Sequence, residues 1–451
     1  MVKAARRLAA TILVCALAGV FATRTLAQAG PSAAPTAHIQ VQALPSPGVT
    51  NFDAQKAVDA YLARVSGKAR ARSDAYFEGG YVLNFVDVLY TVVVAALLLW
   101  LRISAIMRNF ATRMTRFRFL QVPIYVVQYM VVTTLAALPL TVYEGFLREH
   151  AFGLSNQTFL QWAGEFALSF GLNLAGFTIL LTIIYAVIRA AKRSWWVWGT
   201  GVTVTLLAAQ IVIAPVYIAS LFNHYAPLPE SGMKSVILSM ARSNGIPATD
   251  VYTFDASKQS TRISANVSGF LGTTRISLTD NLLNRCTPSE VLAVVGHEMG
   301  HYVMNHVGIA LTWFGFVFLA GFAFVDRAFR GLAYLFGGNW DVRTIDDPAG
   351  LPLITALFSV FMLAATPVTN TITRMIEIQA DIFGLNVARQ PDAFATVALK
   401  LSDYRKLDPS PWEEFVFYDH PSGRTRIGEA MRWKAEHLND PDIMEGPISP
   451  Q

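Results

Sequence analysis

Cysteine is almost absent from the chain: two in 451 residues, Cys15 and Cys286. That excludes a cysteine-ligated zinc site. Cys15 sits inside an N-terminal apolar stretch, so a processed chain would keep one thiol and no internal disulfide. Charge is scarce too. Asp, Glu, Lys and Arg make up 15% of residues against 53% hydrophobic ones, too little to coat a soluble surface of this size. Internal repeats are lacking. So is any basic patch interleaved with aromatics, and the net charge of +5 therefore does not point to nucleic acid. The arginines flank apolar segments instead, where they meet anionic lipid headgroups.

The apolar residues are gathered in long runs. Residues 1–29, MVKAARRLAATILVCALAGVFATRTLAQA, have a basic start, an apolar middle and small residues at the end. This is a secretory signal peptide or a first membrane helix. Residues 30–79 read as a polar linker with one short amphipathic helix. Four segments near 81–101, 120–143, 165–190 and 196–222 each approach or exceed the ~20 residues that span a bilayer, which makes 80–222 a membrane domain. Residues 223–289 turn polar and strand-like, around a Gly-Ile-Pro turn at 245–247, and predict a small α/β insertion. Two more spans near 307–325 and 350–370 and a soluble tail complete a second domain, 223–451. The total is six spans, or about seven with the N-terminus.

Arginine and lysine at segment ends set orientation. Arg102, Arg108, Arg113, Arg116 and Arg118 share one connection, and Arg189, Lys192 and Arg193 the next on the same side. Those connections are expected in the cytoplasm, which puts 223–306 and the tail outside. In a bacterium that is the periplasmic face of the inner membrane. The basic residues of 30–79 run against this count.

One apolar helix carries chemistry: VVGHEMGHYVMNHV, residues 294–307. Residues four apart share a helix face, so His297 and His301 can hold one ion. Glu298, turned by about 100°, is placed to touch a water on that ion as general base. Two imidazoles and a carboxylate in so apolar a helix are costly unless used. A third ligand is then needed, with one position left open. His306, five residues on and on another face, reads as a membrane-interface histidine. The better candidates are Glu377 and Asp381, four apart in TRMIEIQADIFG, residues 373–384. One would complete the shell and the other would support a ligand histidine. Two crossings separate His301 from Glu377, so both fall on one side of the membrane.

Taken with LFNHYAPLPE (221–230), VYTFDASKQS (251–260), ISLTDNLL (276–283), VLAVVGHEMGHYVMNH (291–306), EIQAD (377–381) and HPSGRTRI (420–427), the chain resembles the type I CAAX prenyl proteases, and their bacterial relatives in particular. The resemblance implies an α-helical integral membrane protein of about seven transmembrane helices around a water-filled chamber, with a small α/β zinc-metalloprotease domain at one end. It implies one zinc ion held by His297, His301 and Glu377, with Glu298 as general base. It gives Asp381 a catalytic or supporting role, and has His420 and Arg426 hold substrate or oxyanion. Asn266, in ISANVSGF (263–270), stands for a residue that aligns substrate backbone. The substrate class is a peptide or protein, prenylated or not. In eukaryotic members the catalytic domain faces the cytoplasm, against the charge count here. The expected role is processing and quality control of envelope proteins. The rival reading is an idle scaffold or channel that kept its metal site, although all five site residues from His297 to Asp381 are retained.

Overall fold

A computed structural model describes residues 52–269 and 274–444. The N-terminal segment read as signal peptide or first membrane helix lies outside the described residues, as do 30–51 of the linker and 445–451 of the tail. Among the described residues five helices are long and apolar enough to cross a membrane: Gly67–Trp100, Arg118–Ala151, Phe159–Ala190, Trp195–Leu221 and His306–Trp340. A bent pair, Pro348–Ala364 and Thr366–Ala388 meeting at 58°, makes a sixth where the two are counted as one broken span. The expected total of about seven counted the N-terminal segment.

The first spanning helix corrects the linker boundary. It begins at Gly67 rather than near residue 80. Its 34 residues reach about 51 Å at 1.5 Å each, well past a bilayer core of ~30 Å. The polar first turns therefore emerge from the membrane and dock on the soluble layer. Ser73 Oγ donates to the Arg405 carbonyl at 3.0 Å, and Arg70 pairs with Asp408 at 3.2 Å. The preceding amphipathic helix, Ala54–Leu62, is capped by the Asp53 side chain and buries Val58, Tyr61 and Leu62 against Ile427, Met431 and Trp433. Of the linker's positive charges, Arg70 thus meets a carboxylate of the soluble layer and Lys56 pairs with Asp53.

The spans pack around buried aromatic and aliphatic residues such as Tyr125, Phe177, Phe318 and Phe358. Hydroxyl pairs tie helices together, Tyr129 with Thr355 at 2.8 Å and Ser104 with Tyr125 at 2.6 Å. At one end of the bundle three basic connections converge. Arg102 donates to the Asn339 carbonyl at 2.8 Å. Arg108 bridges Asp341 and Asp347 at 2.6 and 2.7 Å. Arg330 donates to the Lys192 carbonyl at 3.0 Å.

The opposite end carries the α/β layer. Its sheet has the order β1-β2-β4-β3, formed by Tyr225–Pro227, Val251–Phe254, Ala265–Ser268 (β3) and Arg275–Thr279 (β4). β2 and β4 are parallel, and the outer pairs antiparallel. β3 is an edge strand. Ile276 and Leu278 of β4 bury against Val291, Val295 and Met299 of the motif helix, Pro288–Val303. Local side chains set the start of that helix. Thr287 and Glu290 form a reciprocal capping box with Pro288 at the first turn, satisfying two orphan N–H groups.

Candidate metal centre

Two helices meet side by side to build the site, and small residues let them. A Cβ on Gly296 would lie 3.1 Å from the Gly384 carbonyl oxygen, and one on Gly300 3.1 Å from Ala380 Cα. Gly384 is tighter still, with its missing Cβ only 2.7 Å from the His297 backbone nitrogen. The second helix, Thr366–Ala388, reaches this position through the break after Ala364, where Pro367 has no N–H to continue the preceding turn. It leaves the span at 58° and lies across the motif helix.

This crossing gathers three donors. His297 Nε2 and His301 Nε2 are 3.1 Å apart. Glu377 Oε2 lies 3.4 Å from His297 Nε2 and Oε1 3.5 Å from His301 Nε2. Four ligands at the usual 2.0–2.1 Å from zinc put donors roughly 3.3 Å from one another in a tetrahedron; the histidine pair matches that spacing, each Glu377 oxygen approaches one of the two nitrogens, and one ligand atom from each residue lies within 4.8 Å of the others. Buried Glu377 Oε2 also lacks a hydrogen-bond partner, as a ligand atom would. Two imidazoles and one carboxylate with an open fourth side favour zinc.

Each histidine is held from behind. His297 Nδ1 lies 2.7 Å from Asp381 Oδ1, so Nδ1–H donates and Nε2 faces the donors. Asp381 is fully buried and grips Arg426, whose Nε donates to Oδ2 at 2.9 Å and whose Nη2 donates to Oδ1. Asp381 sits behind His297, in the supporting one of the two roles expected for it. One expectation changes: the buried Arg426 guanidinium is committed to Asp381 rather than open to an oxyanion. Arg426→Leu would strand the Asp381 charge, at a cost of about 3–5 kcal/mol. A fall in the thermal midpoint checks this, and an unchanged midpoint would refute it.

His420 remains on the open side, its Nε2 3.4 Å from Glu377 Oε2 and its Nδ1 held by Asp419 Oδ1 at 2.9 Å. Asn266 lies half-buried on β3, where Ser268 Oγ donates to its Oδ1 at 3.1 Å. Among the described residues no hydrogen bond joins it to the histidines. His306 corrects the interface reading. It is buried, with Nδ1 2.9 Å from His301 Nδ1 and Nε2 3.2 Å from Gln379 Oε1. Its signal was masked by Asn305, whose left-handed backbone (φ 51) ends the motif helix and swings residue 306 back toward His301.

The site's protons follow from its charges. Burial pulls the His297 imidazole down, but the Asp381 and Glu377 carboxylates outweigh that and raise it to about 10. Burial and the neighbouring His297 lower His301 to about 3. Burial raises Glu298, half-buried beside them, to about 7. Metal-free His297 thus holds a proton on both nitrogens at neutral pH, and metal uptake must expel the one on Nε2. Zinc affinity is expected to rise about tenfold per pH unit near neutrality, levelling off as pH passes about 10. Competition with a chelator at several pH values tests this. An affinity independent of pH would contradict the His297 assignment.

Comparison with known proteins agrees with this geometry. Residues 227–434 match Peptidase family M48. Residues 52–224 match the CAAX prenyl protease N-terminal family, five membrane helices. A Bacillus subtilis protein described as uncharacterized metalloprotease YhfN is 33% identical over 70% of this chain and 74% of its own. CAAX prenyl protease 1 of Saccharomyces cerevisiae is 27% identical over 65% and 68%. The crystal structure of S. mikatae Ste24p superposes with a TM-score of 0.68 at 21% identity, covering 87% of this chain and 93% of that one. An integral-membrane helical bundle joined to a His-Glu-x-x-His metal centre makes the chain a metalloendopeptidase, and it belongs to the M48 family in its type I CAAX prenyl protease branch.

Proposed function

We propose that the protein cuts peptide bonds in unfolded or precursor envelope proteins at a zinc centre of His297, His301 and Glu377, with Glu298 as general base. The observation that carries this is the cluster of His297, His301 and Glu377, with one ligand atom from each within 4.8 Å of the others, beside a half-buried carboxylate. A zinc ion bound there supplies a Lewis acid that activates water near neutral pH. Glu298 takes the proton from the attacking water and delivers it to the leaving amide nitrogen. His420, on the open side, donates a hydrogen bond to the developing oxyanion. Asp381, held by Arg426, keeps the His297 proton on Nδ1 and so its Nε2 lone pair on the metal. The edge strand β3, including Asn266, pairs with extended substrate backbone.

The site is assigned to the outer, periplasmic face of a bacterial inner membrane. Support comes from the basic connections around Arg102, Arg108 and Arg330, which meet at the other end of the bundle, as cytoplasmic loops do. Pairing of Arg70 with Asp408 offsets part of the linker charge that argued otherwise. Protection of the C-terminal tail from added protease in intact spheroplasts would overturn this orientation.

Relatives carry the name CAAX prenyl protease, so lipid recognition is the main rival for substrate choice. One peptide, farnesylated and unmodified, separates the two. Turnover of both at similar rates, abolished by a chelator and restored by zinc, is expected. Turnover of the farnesylated form alone would exclude the quality-control role. Zinc bound without turnover of either peptide or of unfolded protein would favour an idle scaffold.

A further inference from the structure

Two imidazoles of the metal centre need their outer nitrogens held, and the two solutions differ. His297 leans on a carboxylate, Asp381, at 2.7 Å. His301 leans on another imidazole, His306, at 2.9 Å. We infer that His306, steered by Gln379, is the positioning residue that fixes the tautomer and ring plane of His301. The inference rests on the proposed zinc site.

Proton directions follow from the contacts. His301 Nε2 faces His297 Nε2 and Glu377 Oε1, so as a ligand it must present a lone pair there. Its proton then sits on Nδ1, and the acceptor 2.9 Å away is His306 Nδ1. That leaves the His306 proton on Nε2, where it donates to Gln379 Oε1 at 3.2 Å. Each atom in the chain has one role, and no donor faces a donor. Gln379 sits two residues after Glu377 on the same helix, so the helix that brings the third ligand also anchors the relay.

Charge explains why a neutral group stands here. Glu298, Glu377 and Asp381 bring three negative charges into the site. Arg426 and a divalent ion would balance them. A fourth carboxylate behind His301 would leave an uncompensated buried charge, whereas an imidazole accepts the same hydrogen bond without one. The position is also made rather than incidental. On an unbroken helix residue 306 would point about 140° away from 301. The left-handed Asn305 (φ 51) turns it back, and the two rings meet edge to face, with centroids 5.0 Å apart. A merely space-filling role would need no acceptor.

The experiment measures zinc affinity of the full-length, detergent-purified chain by competition with a chelator, for wild type and His306→Leu, His306→Asn and Gln379→Ala. His306→Leu fills the space without an acceptor and is expected to weaken zinc about 10- to 100-fold. His306→Asn can place its amide oxygen where Nδ1 lies, and is expected to recover most of that loss. Gln379→Ala should weaken zinc in the same direction, with little further loss on top of His306→Leu, because both act through one chain of bonds. Unchanged affinity in His306→Leu overturns the relay, and so does equal loss in His306→Asn. Should the leucine variant not fold, Gln379→Ala decides: wild-type affinity there overturns it. A wild-type chain that takes up no zinc would sink the metal-centre reading itself, a result separate from any of these.

Discussion

Glu298→Gln is expected to abolish cleavage and leave zinc in place. The three donors that fit a tetrahedral ion are His297, His301 and Glu377, and Glu298 is not among them. It stands one residue from His297, turned by about 100° around the helix, beside the position an attacking water would take. Burial raises its carboxyl to about 7, and a cation next to it pulls that value down. The group is therefore ionised when it must accept a proton, and the acid limb of the pH–rate profile should fall at or below about 7. Glutamine keeps the shape and the hydrogen bonding but cannot take the proton. The loss should be about 10²- to 10⁴-fold and should appear in kcat, since substrate contacts remain. Zinc content should equal that of wild type. His301→Ala should instead lose zinc and activity together. Retention of more than about a tenth of wild-type kcat in Glu298→Gln would refute the general-base role.

Much of this site was legible in the sequence because helical spacing is local. His297, Glu298 and His301 lie within five residues, and one helix fixes their relative directions. Glu377 and Asp381 were legible as a pair on one face for the same reason. Spacing could not say which of the two meets the metal, because a residue and its fourth successor differ by only about 40°. The choice comes from how two helices cross, through contacts of Gly296, Gly300, Ala380 and Gly384 that are distant in sequence. The resemblance to a family supplied the answer before the geometry did. His306 was lost to helical arithmetic, since one left-handed residue reverses its direction. Arg426 was found but misplaced, because nothing local tells an arginine facing substrate from one gripping a buried carboxylate. Span boundaries failed in a similar way. An apolar run marks where a helix sits in lipid, not where it starts, so the polar turns from Gly67 onward looked like linker.

The same crossing carries the second large effect. Gly384→Ala is expected to destroy the metal centre without touching a ligand. The added Cβ would lie 2.7 Å from the His297 nitrogen and 3.0 Å from its Cα, distances that no side-chain rotation can relieve because both atoms are backbone. The helices must part. Overpacking of this kind costs about 1–3 kcal/mol, which the fold can survive. The site is less tolerant. Glu377 rides on one helix and both histidines on the other, so any separation stretches the 3.4 and 3.5 Å contacts together, while metal ligation tolerates only about ±0.2 Å. Asp381 moves on the same helix and loosens its 2.7 Å hold on His297. Zinc affinity should fall by about 10²-fold, with turnover falling alongside, the scale expected for a displacement near 1 Å. Gly331→Ala is the control: a Cβ there meets nothing within 4 Å, and it should behave as wild type. Full zinc affinity in a folded Gly384→Ala protein would mean that Glu377 reaches the ion by a path this crossing does not govern. The third ligand would then have to be sought elsewhere, with His420, 3.4 Å from Glu377 on the open side, the next residue to replace.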